Sequence, residues 1–297
     1  MITKRILLSA LAVLLVAGVV GCSDENPTGT VPTADELAII GLVSGATVFE
    51  HDVVSHVVPD TTAGAGAQTF WWREYTTSAP QFAFQFYAAD QAIPYPYAVL
   101  TLTSTYDGNL HVVNRNAGGV YAHTVKTLQD VVTQTARFEQ QLAVTSPDRG
   151  WVLAAISNIV GGSSSTVLTI DNLAFDASTS QDVNVDESAM STLYPLANRY
   201  TLEPDEQVSA ILQSGSGIND AYLHDVFASD VTTLVMTNQD LGFYSRQVNA
   251  PTPLTTAEAQ RFIVVDVLAD GVADGSAPYD AYVWALPYVI NMGGPAN

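Results

Sequence analysis

The 297 residues carry 10 Lys and Arg against 30 Asp and Glu, a formal net charge of −20, with 47% hydrophobic residues and one cysteine. Such a negative field repels nucleic-acid phosphates and anionic lipid headgroups, and so argues against either as a partner recognised through charge. A lone cysteine leaves no intramolecular disulfide, so stability has to come from a hydrophobic core, which this length can supply in one or two domains.

At the amino terminus Lys4 and Arg5 precede an apolar run from Ile6 to Val20, and Val19-Val20-Gly21-Cys22 closes it. At about 1.5 Å per residue the run covers roughly 22 Å, short of the ~30 Å hydrocarbon core of a bilayer. A cationic start, a short apolar stretch and a small residue before the cut are the order of a secretory signal, here residues 1–21. The closing tetrapeptide resembles the lipobox of bacterial lipoproteins. That resemblance implies that Cys22 receives a diacylglycerol and becomes the first mature residue, holding the chain at a membrane through its acyl chains. Ser23 after the cysteine implies sorting to the outer membrane, by the rule for enteric bacteria. Without residues 1–21 the chain has eight basic and thirty acidic residues, a net charge of −22, and Lys126 is its only lysine. A charged fraction of 13% is about half the usual share, so Thr, Ser, Asn and Gln build much of the surface.

Residues 22–33 form the lipidated cysteine and a polar, Pro- and Gly-containing tether. Thr33-Ala34-Asp35-Glu36 is a capping-box sequence, Leu37, Ile40 and Val43 share one helical face, and Gly45 is a stop, which predicts a helix over 34–44. The period then becomes two. Residues 47–58 are Val-rich, Phe82, Phe84 and Phe86 alternate, and 97–106 is strongly β-prone. Asp107-Gly108 predicts a hairpin turn into Asn109–Arg115. Residues 124–142 predict a long strand, or a strand passing into a helix near 136–143. Asp148-Arg149-Gly150 turns into a strand from Trp151 to Ile156.

Gly161-Gly162-Ser163-Ser164-Ser165 is a linker or a large hairpin loop, and a linker is the expectation because new strands follow. These are 166–171, 207–213, 220–227, 231–237, 242–249, 261–268 and 279–290, spaced as in an antiparallel sandwich of immunoglobulin type. The expected fold is therefore mainly β. An α+β domain with one clear short helix spans 34–160, residues 161–165 link, and an immunoglobulin-like β-sandwich spans 166–297. The first domain, with its capped helix, long strands and the tryptophan strand RGWVLAAIS at 149–157, looks like uncharacterised envelope lipoproteins. It is also faintly similar to the NTF2-like α+β domain, which implies a curved sheet lined by helices.

Three groups are candidate sites. Glu50, His51, Asp52 and His56 have metal-ligand side chains, but a spacing of five places the histidines on opposite strand faces. Asp266, Asp270, Asp274 and Asp280 flank a glycine-rich turn and offer oxygen ligands to calcium, though Asp before Gly is also ordinary turn chemistry, and no other cofactor is expected. Trp71, Trp72 and Tyr75 head an aromatic-rich stretch; adjacent strand residues face opposite ways, so one tryptophan points outward and can bind a ligand. No Gly-x-Ser-x-Gly elbow and no phosphate-cradling loop occurs. The expectation is a lipid-anchored envelope protein with a binding or structural role toward another envelope protein. A glycan- or small-ligand-binding module is the alternative, and a secreted hydrolase the third reading.

Overall fold

A computed structural model describes residues 32–49, 69–115, 119–164, 166–196, 199–215, 219–227, 230–240, 242–253 and 260–291. The fold is mainly β, built from antiparallel sheets with one helix of length. Helix α1 spans Ala34–Gly45. Its capping box is formed: Thr33 Oγ1 accepts from the Glu36 amide at 3.2 Å, and the Glu36 carboxylate accepts from the Thr33 amide at 2.5 Å. The helix buries Ile39 and Val43, while Leu37 is 44% exposed. The buried face is thus offset from the expected Leu37–Ile40–Val43 line, because Leu37-Ala38-Ile39-Ile40 is apolar throughout and its period selects no single face.

Four long strands follow: β1 (Thr69–Tyr87), β2 (Tyr97–Arg115), β3 (Tyr121–Gln140) and β4 (Trp151–Ser163). Strand β2 runs straight through Asp107-Gly108, which is not the expected hairpin turn. Opposite it, β1 carries a bulge at Thr76, and a Cβ on Gly108 would lie 2.1 Å from the Glu74 carbonyl oxygen. Gly108 serves close backbone approach rather than a turn. Strand β3 remains extended to Gln140, so the alternative of a helix near 136–143 is not taken. The Asp148-Arg149-Gly150 turn is present, all three residues having positive φ.

The remaining strands are β5 (Ile170–Ala177), β6 (Val183–Asp186), β7 (Tyr194–Pro195), β8 (Tyr200–Leu202), β9 (Gln207–Ser214), β10 (Asn219–Phe227), β11 (Asp230–Val235), β12 (Thr237–Asp240), β13 (Phe243–Asn249), β14 (Gln260–Ala269) and β15 (Ala281–Ile290). A short helix, α2 (Glu187–Met190), follows β6. One ten-stranded sheet has the order β1-β2-β3-β4-β15-β14-β10-β11, with β7 on β4 and β8 on β15; a five-stranded sheet has the order β12-β13-β9-β5-β6. The large sheet crosses the expected boundary. Gly161 and Gly162 pair with Val283 and Tyr282 on β15, so these glycines are strand residues and not a linker. A Cβ on Gly162 would meet the Ala281 carbonyl oxygen at 2.4 Å, so glycine is what lets β15 pack this closely.

The large sheet curls. Tyr106, Val132 and Ile159 from the long strands meet Phe262, Val264, Val283 and Ala285 from β14 and β15. Farther along, Trp71, Leu110, Val112 and Leu128 meet Tyr222, Leu268, Val272 and Ala281. Helix α1 fills the other end against Leu100, Phe138 and Trp151. The opposite faces of β14 and β15, through Val265, Val267, Trp284 and Leu286, pack on Leu173, Val208, Leu212 and Tyr244 of the five-stranded sheet. Strands β14 and β15 are therefore covered on both sides, which is why they read as continuous apolar runs.

Candidate functional site

Three constellations rise out of this architecture. The first lies inside the curl. Residues 71, 73 and 75 of β1 share the inward face, so Arg73 enters the core between Trp71 and Tyr75. Its guanidinium grips Asp266 of β14 with both arms, at 2.5 and 3.0 Å, and its Nε donates to Tyr279 Oη at 2.8 Å. Tyr279 donates onward to Asp130 of β3 at 2.8 Å, and Tyr75 donates to the same carboxylate at 2.5 Å. His224 of β10 completes the ring, with Nε2 at 3.8 Å from Asp266 and Nδ1 at 2.9 Å from Thr233 Oγ1. Arg73 also lies 5.3 Å from the Trp71 ring centroid and 5.5 Å from that of Tyr279.

The electrostatics follow from one cation serving two buried acids. Burial alone would raise the Asp266 carboxyl; the Arg73 guanidinium and His224 together outweigh it and hold the group below the usual carboxylate range. Burial pushes Asp130 up, against the pull of the more distant Arg73 and the two tyrosine hydroxyls. Burial likewise drives Tyr75 and Tyr279 well above the phenol range, so both remain donors. Burial opposes the Arg73 charge, but Asp266 keeps it firmly protonated. With side chains of Arg73, Asp130 and Asp266 exposed by 1% or less, this network holds the curl together and offers nothing to solvent.

The second constellation is on the outward face of the same strands. Trp72 lies flat over two imidazoles, His111 of β2 at 4.7 Å and 3°, and His123 of β3 at 5.8 Å and 16°. His111 Nδ1 and His123 Nε2 are 3.0 Å apart, and His111 Nε2 is 2.9 Å from Glu74 Oε2. The third is the α1 end of the long strands. Phe86 and Tyr87 end β1, Tyr95 precedes β2, Leu142 and Val144 follow β3, and Val152 is the second residue of β4; all are at least 37% exposed. Strand register brings these ends together, pairing Tyr87 with Tyr97, Tyr97 with Glu139, and Glu139 with Val152.

The three aromatic candidates divide between two faces. Trp71 is buried, edge-on to Tyr222 at 5.0 Å, Tyr75 serves Asp130, and Trp72 is the outward tryptophan. The four aspartates are not gathered. Asp266 turns inward to Arg73, Asp274 accepts from the Ser276 amide at 2.8 Å, and Asp280 accepts from Ser163 Oγ at 2.6 Å. Asp270 and Asp274 instead neighbour Asp220, whose carboxyl is raised first by burial and then by those two charges. Among the described residues no group of three or more His, Cys, Asp or Glu surrounds a common point. Cys22 and the Glu50, His51, Asp52 and His56 group lie outside the described residues.

Sequence reasoning missed Arg73, Asp130 and Tyr279, and read His111, His123 and His224 as isolated surface or core histidines, whereas His111 and His123 meet. A signal existed for Arg73, which shares strand parity with Trp71, and for Asp266, the one charge inside Phe262–Leu268. No protein-family model and no curated protein sequence matches this chain, so the reading of its surfaces rests on their geometry.

Proposed function

We propose that the chain is a lipid-anchored protein of the cell envelope, held through Cys22 at the outer membrane, whose role is to bind another envelope protein. The observation that carries the binding role is the exposed apolar end made by Phe86, Tyr87, Tyr95, Leu142, Val144 and Val152. Exposed apolar side chains gathered in one region of a fold are the kind of surface that serves protein contacts. Helix α1 packs at this same end, and its first residue follows the 22–33 tether directly. On this reading the anchor and the apolar end belong to the same end of the chain, which supports a partner within the envelope.

Two experiments test this. Cys22→Ser should abolish the acylated form and release the protein from membranes; a normally lipidated product would overturn the anchor. Pull-down from solubilised membranes should recover one partner with the parent and lose it with the paired Phe86→Asp and Leu142→Asp changes, both at exposed positions. Equal recovery with the folded double variant would overturn the binding surface.

A second reading is supported by Trp72, whose indole stands on the outward face beside the exposed carboxylate of Glu74. An aromatic face next to a hydrogen-bond acceptor suits a sugar ring. Quenching of tryptophan fluorescence by soluble glycans, lost in Trp72→Ala, would favour it over the protein partner.

A further inference from the structure

Beyond that role, we propose that His111 and His123 form a surface site for a late first-row divalent transition metal, with water completing the coordination. The site stands on the separation of two ring nitrogens, 3.0 Å between His111 Nδ1 and His123 Nε2. Two nitrogens bound to one ion at about 2.0–2.1 Å stand about 2.9 Å apart at a right angle and about 3.3 Å apart at a tetrahedral angle. The observed distance falls between the two. The backbone therefore already holds the donors at coordinating separation, on diagonal positions of β2 and β3, where His111 pairs with Val125 and His123 with Val113.

Glu74 supplies the support that a ligating imidazole needs. Its carboxylate sits 2.9 Å from His111 Nε2, so that nitrogen carries the proton and Nδ1 presents its lone pair to His123. In the metal-free pair His123 Nε2 is then the donor. On binding, the His123 proton passes through solvent to Nδ1 of the same exposed ring, and the ion takes the lone pairs of His111 Nδ1 and His123 Nε2. In that exchange the proton moves between the two nitrogens of one ring and none is released. The rings meet edge to edge, with centroids 5.2 Å apart and planes 19° apart, so each turns about Cβ–Cγ for the lone pairs to converge. His123 lies at the surface, which leaves room for that turn.

Trp72 covers one side of both rings. The open coordination positions consequently face solvent, and the indole face attracts a cation. An all-imidazole donor set with a carboxylate behind it selects borderline ions over calcium or magnesium, and among these copper(II) binds most tightly.

The test uses the full chain in detergent with Cys22→Ser, His51→Ala and His56→Ala, which removes the thiol and the imidazoles of the other candidate group. Calorimetric titration with copper(II) should show one equivalent bound, and tryptophan fluorescence should fall in step. His111→Gln and His123→Gln, with unchanged far-UV circular dichroism, should each weaken binding by about tenfold or more. Trp72→Phe should keep the stoichiometry and lose most of the quenching. Absence of a stoichiometric site, or parent-like affinity in both histidine variants, would overturn the proposal. Phe86→Asp with Leu142→Asp should leave copper binding unchanged, which separates this site from the partner surface.

Discussion

Removing one partner of the buried ion pair tests the architecture most directly. Asp266→Asn leaves the Arg73 guanidinium, whose side chain is 1% exposed, without the carboxylate that meets it at 2.5 and 3.0 Å. Breaking a buried pair from one side costs about 3–5 kcal/mol, because the remaining charge is stranded. At about 2–4 °C per kcal/mol for a chain of this size, the melting temperature should fall by roughly 6–20 °C. Arg73→Met should cost a similar amount at neutral pH. It leaves Asp130, whose carboxyl burial already raises, without the pull of Arg73, and takes from Asp266 the largest charge that holds it down. Stability conferred by a raised carboxyl is present in acid and lost as pH rises, so this variant should lose more stability at pH 7 than at pH 5. The double change Arg73→Met with Asp266→Leu removes both charges, and should recover much of the single-variant loss. The assay is urea unfolding of the parent, these three variants and the single Asp266→Leu change at both pH values, so that the cycle closes on the same substitutions. Single-variant costs below about 1 kcal/mol, or strict additivity in the double variant, would refute the account of the pair as the clasp between β1 and β14.

Other consequences are as specific. Glu206 accepts five hydrogen bonds, from the amides and hydroxyls of Thr179 and Ser180 and from the Glu203 amide, and although burial opposes this its carboxyl is held at about 2. The lowered value means stability present above pH 4.5 and lost as pH falls toward 2. Glu206→Gln should therefore cost at most about 3 kcal/mol at pH 7, with the difference from the parent shrinking through that acid window in urea titrations. Gly108→Ala drives a methyl onto the Glu74 carbonyl oxygen at 2.1 Å and should cost about 1–3 kcal/mol by the same assay; an unchanged midpoint would discount the close approach. Thr33→Ala removes the cap of α1 and should cost about 1 kcal/mol, with exchange protection falling first at the Glu36 amide.

Local chemistry made much of this fold legible. The α1 start was written in Thr33 and Glu36, and the β10, β14 and β15 positions in alternating or continuous apolar runs bounded by turn residues. The failures share a cause, which is that a glycine's role depends on what lies across from it. Asp107-Gly108 has the chemistry of a hairpin turn, yet its glycine answers to Glu74, more than thirty positions earlier. Gly161-Gly162 has the composition of a linker, yet it is the place where β15, more than a hundred residues later, pairs with β4. The Trp71–Trp72 pair was divisible by parity alone, whereas the meeting of Trp72 with His111 and His123 needed the register of three strands.

That register also separates what stabilises from what can act. Odd positions of β1 face the curl, and its polar groups there, Arg73 and Tyr75, are consumed by Asp266, Asp130 and Tyr279. A substrate entering this interior would have to replace a bidentate guanidinium pair and two tyrosine bonds, each strengthened by exclusion of water. Even positions 72 and 74 face outward, where Glu74 and His123 are open to solvent, ions or a partner and His111 lies half-buried between them. The Thr76 bulge begins where this polar stretch ends, and beyond it Phe82 and Phe84 join the core beneath α1. A single edge strand thus carries an ion-pair clasp on one face and exchangeable donors on the other. Changes at Trp72, His111 or His123 should accordingly alter what the surface binds with little effect on unfolding, and changes at Arg73 should do the reverse.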